Sequence, residues 1–118
     1  MASPPAKRGL PRVRMQAAVD LSSDTNFYTG FSTNLSVGGL FIATVQCPRP
    51  GTAVDVRFSL PSGEQIDVKG IVRWIREVND QAPDIFPGVG VQFSELSPHA
   101  STAIKRFVAQ REPMFFPD

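Results

Sequence analysis

Histidine and cysteine are nearly absent from this chain, which holds one of each, His99 and Cys47, in 118 residues. One cysteine excludes an internal disulfide, and one of each cannot make a Cys/His zinc site, so no metal ligands are assigned. No run of about 18 apolar residues occurs, so no membrane span is expected. The first residues are polar and proline-rich, so no secretory leader is expected and a reducing, cytoplasmic setting is. Net charge is only +1, which leaves no global field for a nucleic acid or an anionic membrane. Any anion site must therefore be a local cluster of arginines.

Catalytic signatures are missing as well. There is no phosphate loop of the nucleotide-triphosphatase type and no dinucleotide fingerprint, and Gly88-Val89-Gly90 is too short to count as one. His99 follows Pro98 at the start of a helical pattern, where it reads as an exposed residue. Cys47 precedes Pro48 in a turn, with nothing beside it to lower a thiol pKa. The carboxylates are scattered, mostly on the solvent phase of strands. No catalytic residues are assigned, an enzyme is not expected, and function is expected to lie in binding.

What the chain does have is turn chemistry and period-two alternation. Eleven prolines and nine glycines favour short strands over helices. One domain is the default at this length, and the chain is long enough to bury a core without staples. Residues 1–11, with Ser3, Pro4 and Pro5, read as a flexible arm, residues 12–111 as the domain, and residues 112–118 as an apolar tail. Val13, Met15, Ala17 and Val19 alternate with polar or small residues, which predicts a strand over Arg12–Leu21. A second strand is expected over Phe27–Thr33 and a third, buried on both faces, over Leu40–Val45. Thr52–Leu60 alternates cleanly, and Pro61-Ser62-Gly63 turns it into a long strand through Ile66, Val68, Val72 and Trp74, with Gly70 as a bulge or bend. Gly88–Phe93 is the last strand.

The period then changes. Ser97 suits an N-cap, Pro98 suits the first helical position, and Ala100, Ile104, Phe107 and Val108 recur at helical spacing through Arg111. Six short antiparallel strands and one trailing helix predict an all-β fold, a small closed or nearly closed barrel, since closure removes exposed edges. The helix is expected to cover one end or a gap in the wall.

Two polar constellations stand apart from the core pattern. One is Arg8-Gly9-Leu10-Pro11-Arg12, leading into the first strand. The other is Asn34-Leu35-Ser36-Val37-Gly38-Gly39, read as a turn between the second and third strands, with both glycines free to take positive φ. Each has an ordinary reading, a solvated basic lead-in and a hairpin connection. Antiparallel pairing of the first two strands would bring the arm and the turn to one end of the barrel.

Together, in this order, the two resemble the signature of the PilZ domain family, R-x-x-x-R on an N-terminal arm and D/N-x-S-x-x-G after the second strand. The resemblance runs from about Arg8 to Val108. Asn34-Leu-Ser-Val-Gly-Gly-Leu-Phe-Ile42, Leu60-Pro-Ser-Gly63 and Gly88-Val-Gly-Val-Gln-Phe93 are similar to a short single-domain PilZ-like group of the myxobacterial type. The resemblance implies a six-stranded antiparallel barrel with a C-terminal α-helix. It also implies cyclic di-GMP as ligand, often as an intercalated dimer, with no other cofactor.

By the same resemblance, Arg8 and Arg12 would grip phosphates and guanine edges, Ser36 would bond a phosphate, and Gly38 and Gly39 would let the ligand lie on the backbone. Asn34 would read guanine with one acceptor oxygen where an Asp would offer two. Trp74 and Arg76 are auxiliary candidates, although the alternation of Trp74 with Val72 places the indole in the core or barrel wall.

Two functions remain open at this level. One is a cyclic di-GMP receptor that signals by protein contact, in motility, polarity or envelope regulation, since the 118 residues hold no output domain. The other is an adaptor of the same fold that ignores the nucleotide and uses the tail with Phe115 and Phe116. A protein partner is expected in either case. A nucleic acid polymer is not, because the aromatics are read as mostly inward-phased.

Overall fold

The computed structural model describes residues 12–78, 81 and 86–111. The arm with Arg8 and the tail with Phe115 and Phe116 lie outside the described residues.

Alternation becomes wall. The elements are β1 (Val13–Ser22), β2 (Phe27–Ser36), β3 (Gly39–Ala43), β4 (Ala53–Ser59), β5 (Gln65–Arg76), β6 (Gly88–Glu95) and α1 (Pro98–Ala109). The strands close into a barrel in the order β1-β2-β3-β6-β5-β4, with every pairing antiparallel. In β4, Val54, Val56 and Phe58 are buried while Ala53, Asp55, Arg57 and Ser59 are exposed. That is the period-two rule carried into three dimensions. Gly39 to Ile42 of β3 are all buried, so both faces of this short strand are covered, but the strand ends at Ala43, and Val45, expected within it, is exposed.

The hairpin from β4 to β5 forms where Pro61-Ser62-Gly63 places it. Leu60 N–H donates to the Glu64 carbonyl at 2.8 Å, and Gly63 N–H donates back to the Leu60 carbonyl at 2.8 Å. Gly63 sits at φ 97°, and Gly51, in the turn before β4, at φ 93°. These are the positive-φ glycines among the described residues. Gly38 and Gly39 do not use the positive φ expected of them.

α1 seals the barrel. Ser97 caps it by accepting from Ala100 N–H at 3.1 Å, and Pro98 opens the first turn. Ala100, Ala103, Ile104 and Phe107 join the core inside the strands. Burying a side chain such as Ile104 or Phe107 stabilises by about 1.5–3 kcal/mol, so this one stripe anchors the helix. The helix stops at Ala109, with Gln110 as its C-cap, earlier than the expected Arg111. Arg111 lies instead with its guanidinium 4.5 Å from the centre of the Phe107 ring.

One expectation about the turn is corrected. β2 runs on to Ser36, so Asn34 and Ser36 are strand residues and only Val37 and Gly38 form the turn. Of the described aromatics, Phe27, Phe31 and Phe86 are exposed and the rest are buried or half-buried.

Candidate functional site

The polar constellations meet where β1 and β2 pair imperfectly. Val13 pairs with Leu35 and Arg14 with Asn34, so Arg12, one residue before the strand, stands level with Ser36. The Arg12 side chain crosses diagonally, and its Nη1 donates to Asn34 Oδ1 at 2.6 Å. Both residues are half-buried. Burial pushes the Arg12 guanidinium below its ordinary pKa, though arginine remains charged at any physiological pH. Arg14 points outward and is exposed.

The register slips on both sides of Asn34. Between Arg14 and Ala17, β1 carries one residue more than β2, and between Phe31 and Leu35, β2 carries one more than β3. Such bulges break the ladder and re-aim side chains. Inside the second bulge sits Ser32, fully buried. Its hydroxyl lies 2.7 Å from the Phe41 carbonyl and 3.0 Å from the Asn34 carbonyl.

Ser36 is fully buried as well. Its Oγ accepts from Gly38 N–H at 3.1 Å and donates to the Gly39 carbonyl at 3.3 Å. The Gly38 carbonyl accepts from Phe93 N–H at 2.9 Å, which ties the turn to β6. The Ser36 hydroxyl thus builds the turn from within.

An aromatic group extends the same outer face. Phe41 pairs with Gly90, and Gly90 with Trp74. The β5 register slips between Val72 and Trp74. This bulge at Arg73 breaks the alternation with Val72, so of the two places expected for the indole, core or barrel wall, it takes the outer side of the wall. There it lies across Gly90, where a Cβ would overlap it. Phe41 and Trp74 stack with ring centres 5.5 Å apart and planes 19° apart. The Arg76 guanidinium lies 4.5 Å from the Phe41 ring centre and 5.8 Å from that of Trp74. Arg76 Nη1 also donates to the Phe86 carbonyl at 3.5 Å. The indole Nε1 is buried and has no hydrogen-bond partner among the described residues.

The structure therefore brings together Arg12, Asn34, Ser36, Gly38 and Gly39, with Trp74 and Arg76 on β5, beyond β3 and β6. Arg8 lies outside the described residues. Sequence reasoning missed Phe41, Arg73 and Ser32. Phe41 was absorbed into a buried run. Arg73 is exposed, and its Nε donates at 2.7 Å to Oε1 of Gln92, the register partner of Gly39. Nothing in the sequence marks Ser32, inside the expected second strand, as more than an ordinary strand residue.

Elsewhere Cys47 is half-buried, its Sγ 3.7 Å from the Thr44 carbonyl. Burial first, then the charge of Glu77, pushes its thiol pKa up. His99 is exposed and faces Glu64 at 3.5 Å. No described helix is long and apolar enough to cross a membrane.

Comparison with known proteins places the same stretch. The family model described as "PilZ domain" matches residues 6–110. No curated protein matches the chain by sequence. Among solved structures, a motility inhibitor of Bacillus subtilis, MotI/DgrA, is similar at 21% identity and TM-score 0.70, over 87% of this chain and 50% of that one. The PilZ domain of YcgR from Escherichia coli, solved with c-di-GMP, is similar at 13% identity and TM-score 0.68, over 89% and 91%. MrkH of K. pneumonia, also solved with c-di-GMP, matches at 15% identity and TM-score 0.70, over 87% and 50%. The chain thus spans about half the length of MotI and MrkH and nearly all of the isolated YcgR domain. At these identities the likeness is one of fold.

Proposed function

The chain belongs to the PilZ domain family, and from that premise we propose that it is a cytoplasmic cyclic di-GMP receptor that passes its signal on by protein contact. The observation that carries this reading is the 2.6 Å bond from Arg12 to Asn34. It holds the second arginine of one motif against the first residue of the other, on the outer wall of a closed barrel. The likeness of fold to YcgR and MrkH, both solved with c-di-GMP, supports the choice of ligand.

In this reading the Arg12 guanidinium binds phosphate or the N7/O6 edge of guanine with paired donors. Arg8, four residues upstream, supplies the matching grip. Asn34 Oδ1 already accepts from Arg12, so it shares one oxygen between holding the arginine and reading guanine. Ser36 keeps Gly38 and Gly39 in place so that the ligand can lie on the backbone, and bonding a phosphate directly would require its hydroxyl to leave the turn. Trp74 and Arg76 offer a stacking face one strand beyond Gly90.

Exposed Phe31, Val45, Val78 and Phe86 support transmission by contact. Phe31 pairs with Ala43, Ala43 with Gly88 and Gly88 with Arg76, so this apolar strip runs alongside the proposed site. Motility, polarity and envelope control are the processes in which we place it. The same strip also suits the second reading, an adaptor of this fold that does not bind the nucleotide.

Calorimetric titration with cyclic di-GMP at low salt separates the two. The receptor is expected to bind at micromolar strength or tighter, about 8 kcal/mol or more. Absence of heat from the wild-type protein would overturn the receptor and leave the adaptor.

A further inference from the structure

The proposed site has a polar half on β1 and β2 and an aromatic half on β3, β6 and β5, and the backbone ladder between them is broken by the β2 bulge. Phe31 pairs with Ala43 and Leu35 with Leu40, so three intervening residues of β2 face two of β3. A bulge of this kind leaves backbone groups without ladder partners. A buried carbonyl left so must find another donor.

We propose that Ser32 is a positioning residue that couples the two halves of this site through its single hydroxyl. The inference rests on the receptor reading above and adds to it a residue outside both motifs. Ser32 is fully buried, and its Oγ reaches the Phe41 carbonyl at 2.7 Å and the Asn34 carbonyl at 3.0 Å. A serine hydroxyl carries one hydrogen, so the two carbonyls share it, and Phe41 at the shorter distance takes the larger part. The hydroxyl thereby stands in for a missing backbone donor to β3 and pins the Asn34 backbone to the same point.

Two consequences follow from that geometry. The Asn34 side chain, on the next bond along, is held where Arg12 meets it at 2.6 Å. The Phe41 ring is held where Trp74 stacks on it and Arg76 covers it. Ser32 itself touches no ligand. A change at Asn34 on ligand binding moves the backbone that Ser32 shares with Phe41, so Trp74 should sense events at Arg12 across the bulge.

The test is a double-mutant cycle on Ser32→Ala and Asn34→Ala, read by calorimetry with cyclic di-GMP and by the Trp74 emission change at saturation. Ser32→Ala is expected to weaken binding about tenfold, the loss typical when a buried group loses its hydrogen-bond donor. Its Trp74 response at saturating ligand should fall well below that of the wild type. The Ser32→Ala cost should be clearly smaller in the Asn34→Ala background than in the wild type, because Ser32 acts in part through Asn34. A folded Ser32→Ala protein with wild-type affinity and a full Trp74 response would overturn the proposal and leave the receptor reading intact. So would a Ser32→Ala cost that adds in full to that of Asn34→Ala. A wild-type protein that does not bind would overturn the receptor reading and the coupling together. Should Ser32→Ala fail to unfold cooperatively in urea, Ser32→Cys, a weaker donor of similar volume, replaces it, and unchanged affinity there counts against the proposal.

Discussion

Two walls of one barrel use polar residues in opposite ways. Where β4 pairs with β5, seven consecutive residues stay in register without a slip. The outward residues there form cross-strand ion pairs, Arg57 with Asp67 at 2.7 Å and Lys69 with Asp55 at 3.0 Å, all exposed. Around Asn34 the register slips on both neighbouring pairings. The polar contacts there are half-buried or buried, and most of them join side chain to backbone. A regular ladder satisfies its own backbone, so its outer charges only decorate the surface and are screened by water. A broken ladder hands its backbone groups to side chains, and those side chains become fixed enough to aim at a ligand.

The largest effect should come from the irregular wall. Arg12→Ala is expected to weaken cyclic di-GMP binding about a hundredfold, as two charged hydrogen bonds of roughly 1.5 kcal/mol each would predict. Calorimetry reads this directly, and an unchanged affinity would remove the distinction between the walls.

Next is Gly90→Ala, whose methyl would overlap the Trp74 indole. Overpacking of this kind costs about 1–3 kcal/mol, measurable as a lower urea midpoint together with red-shifted tryptophan emission. A midpoint and spectrum like those of the wild type would mean that the indole does not lie across that strand.

Asn34→Asp is expected to tighten nucleotide binding by about three- to tenfold, since a charge-assisted bond is roughly twice as strong as a neutral one. Weaker binding would show that the added charge repels phosphate more than it orders Arg12.

On the regular wall, Asp67→Asn should leave the urea midpoint unchanged, because Arg57 and Asp67 meet in open solvent. A clear drop would show that the ladder of charges holds the barrel after all. The smallest effect concerns Cys47. Its raised thiol pKa means less thiolate at pH 8, so alkylation by iodoacetamide should run slower than in an unfolded control, with the gap closing as pH rises above the thiol pKa.

Much of this was legible in the residues. The alternation in Thr52–Leu60 placed β4, and the Ser97-Pro98 pair placed the start of α1, because each signal is local and the core only confirms it. The order of the two motifs was legible too. Trp74 could be narrowed only to the core or the barrel wall because period-two counting assumes an unbroken strand, and one added residue at Arg73 reverses the face. Asn34 and Ser36 were taken for turn residues because Asn, Ser and Gly favour turns by local chemistry, while pairing with β1 and β3 keeps both in the strand.

The sequence by itself determined that this chain makes a small antiparallel barrel, closed or nearly so, with one trailing helix, and that its arginines and its Asn-x-Ser-x-x-Gly motif flank the first two strands. Those outcomes depend on hydrophobic period and turn chemistry, which are written residue by residue. Only the tertiary structure decided which face each site residue takes, that Ser36 turns inward to build the turn, and that Ser32 ties Asn34 to Phe41. Bulges set those outcomes, and a bulge arises from the mismatch of two strands distant in sequence, which neither strand encodes alone.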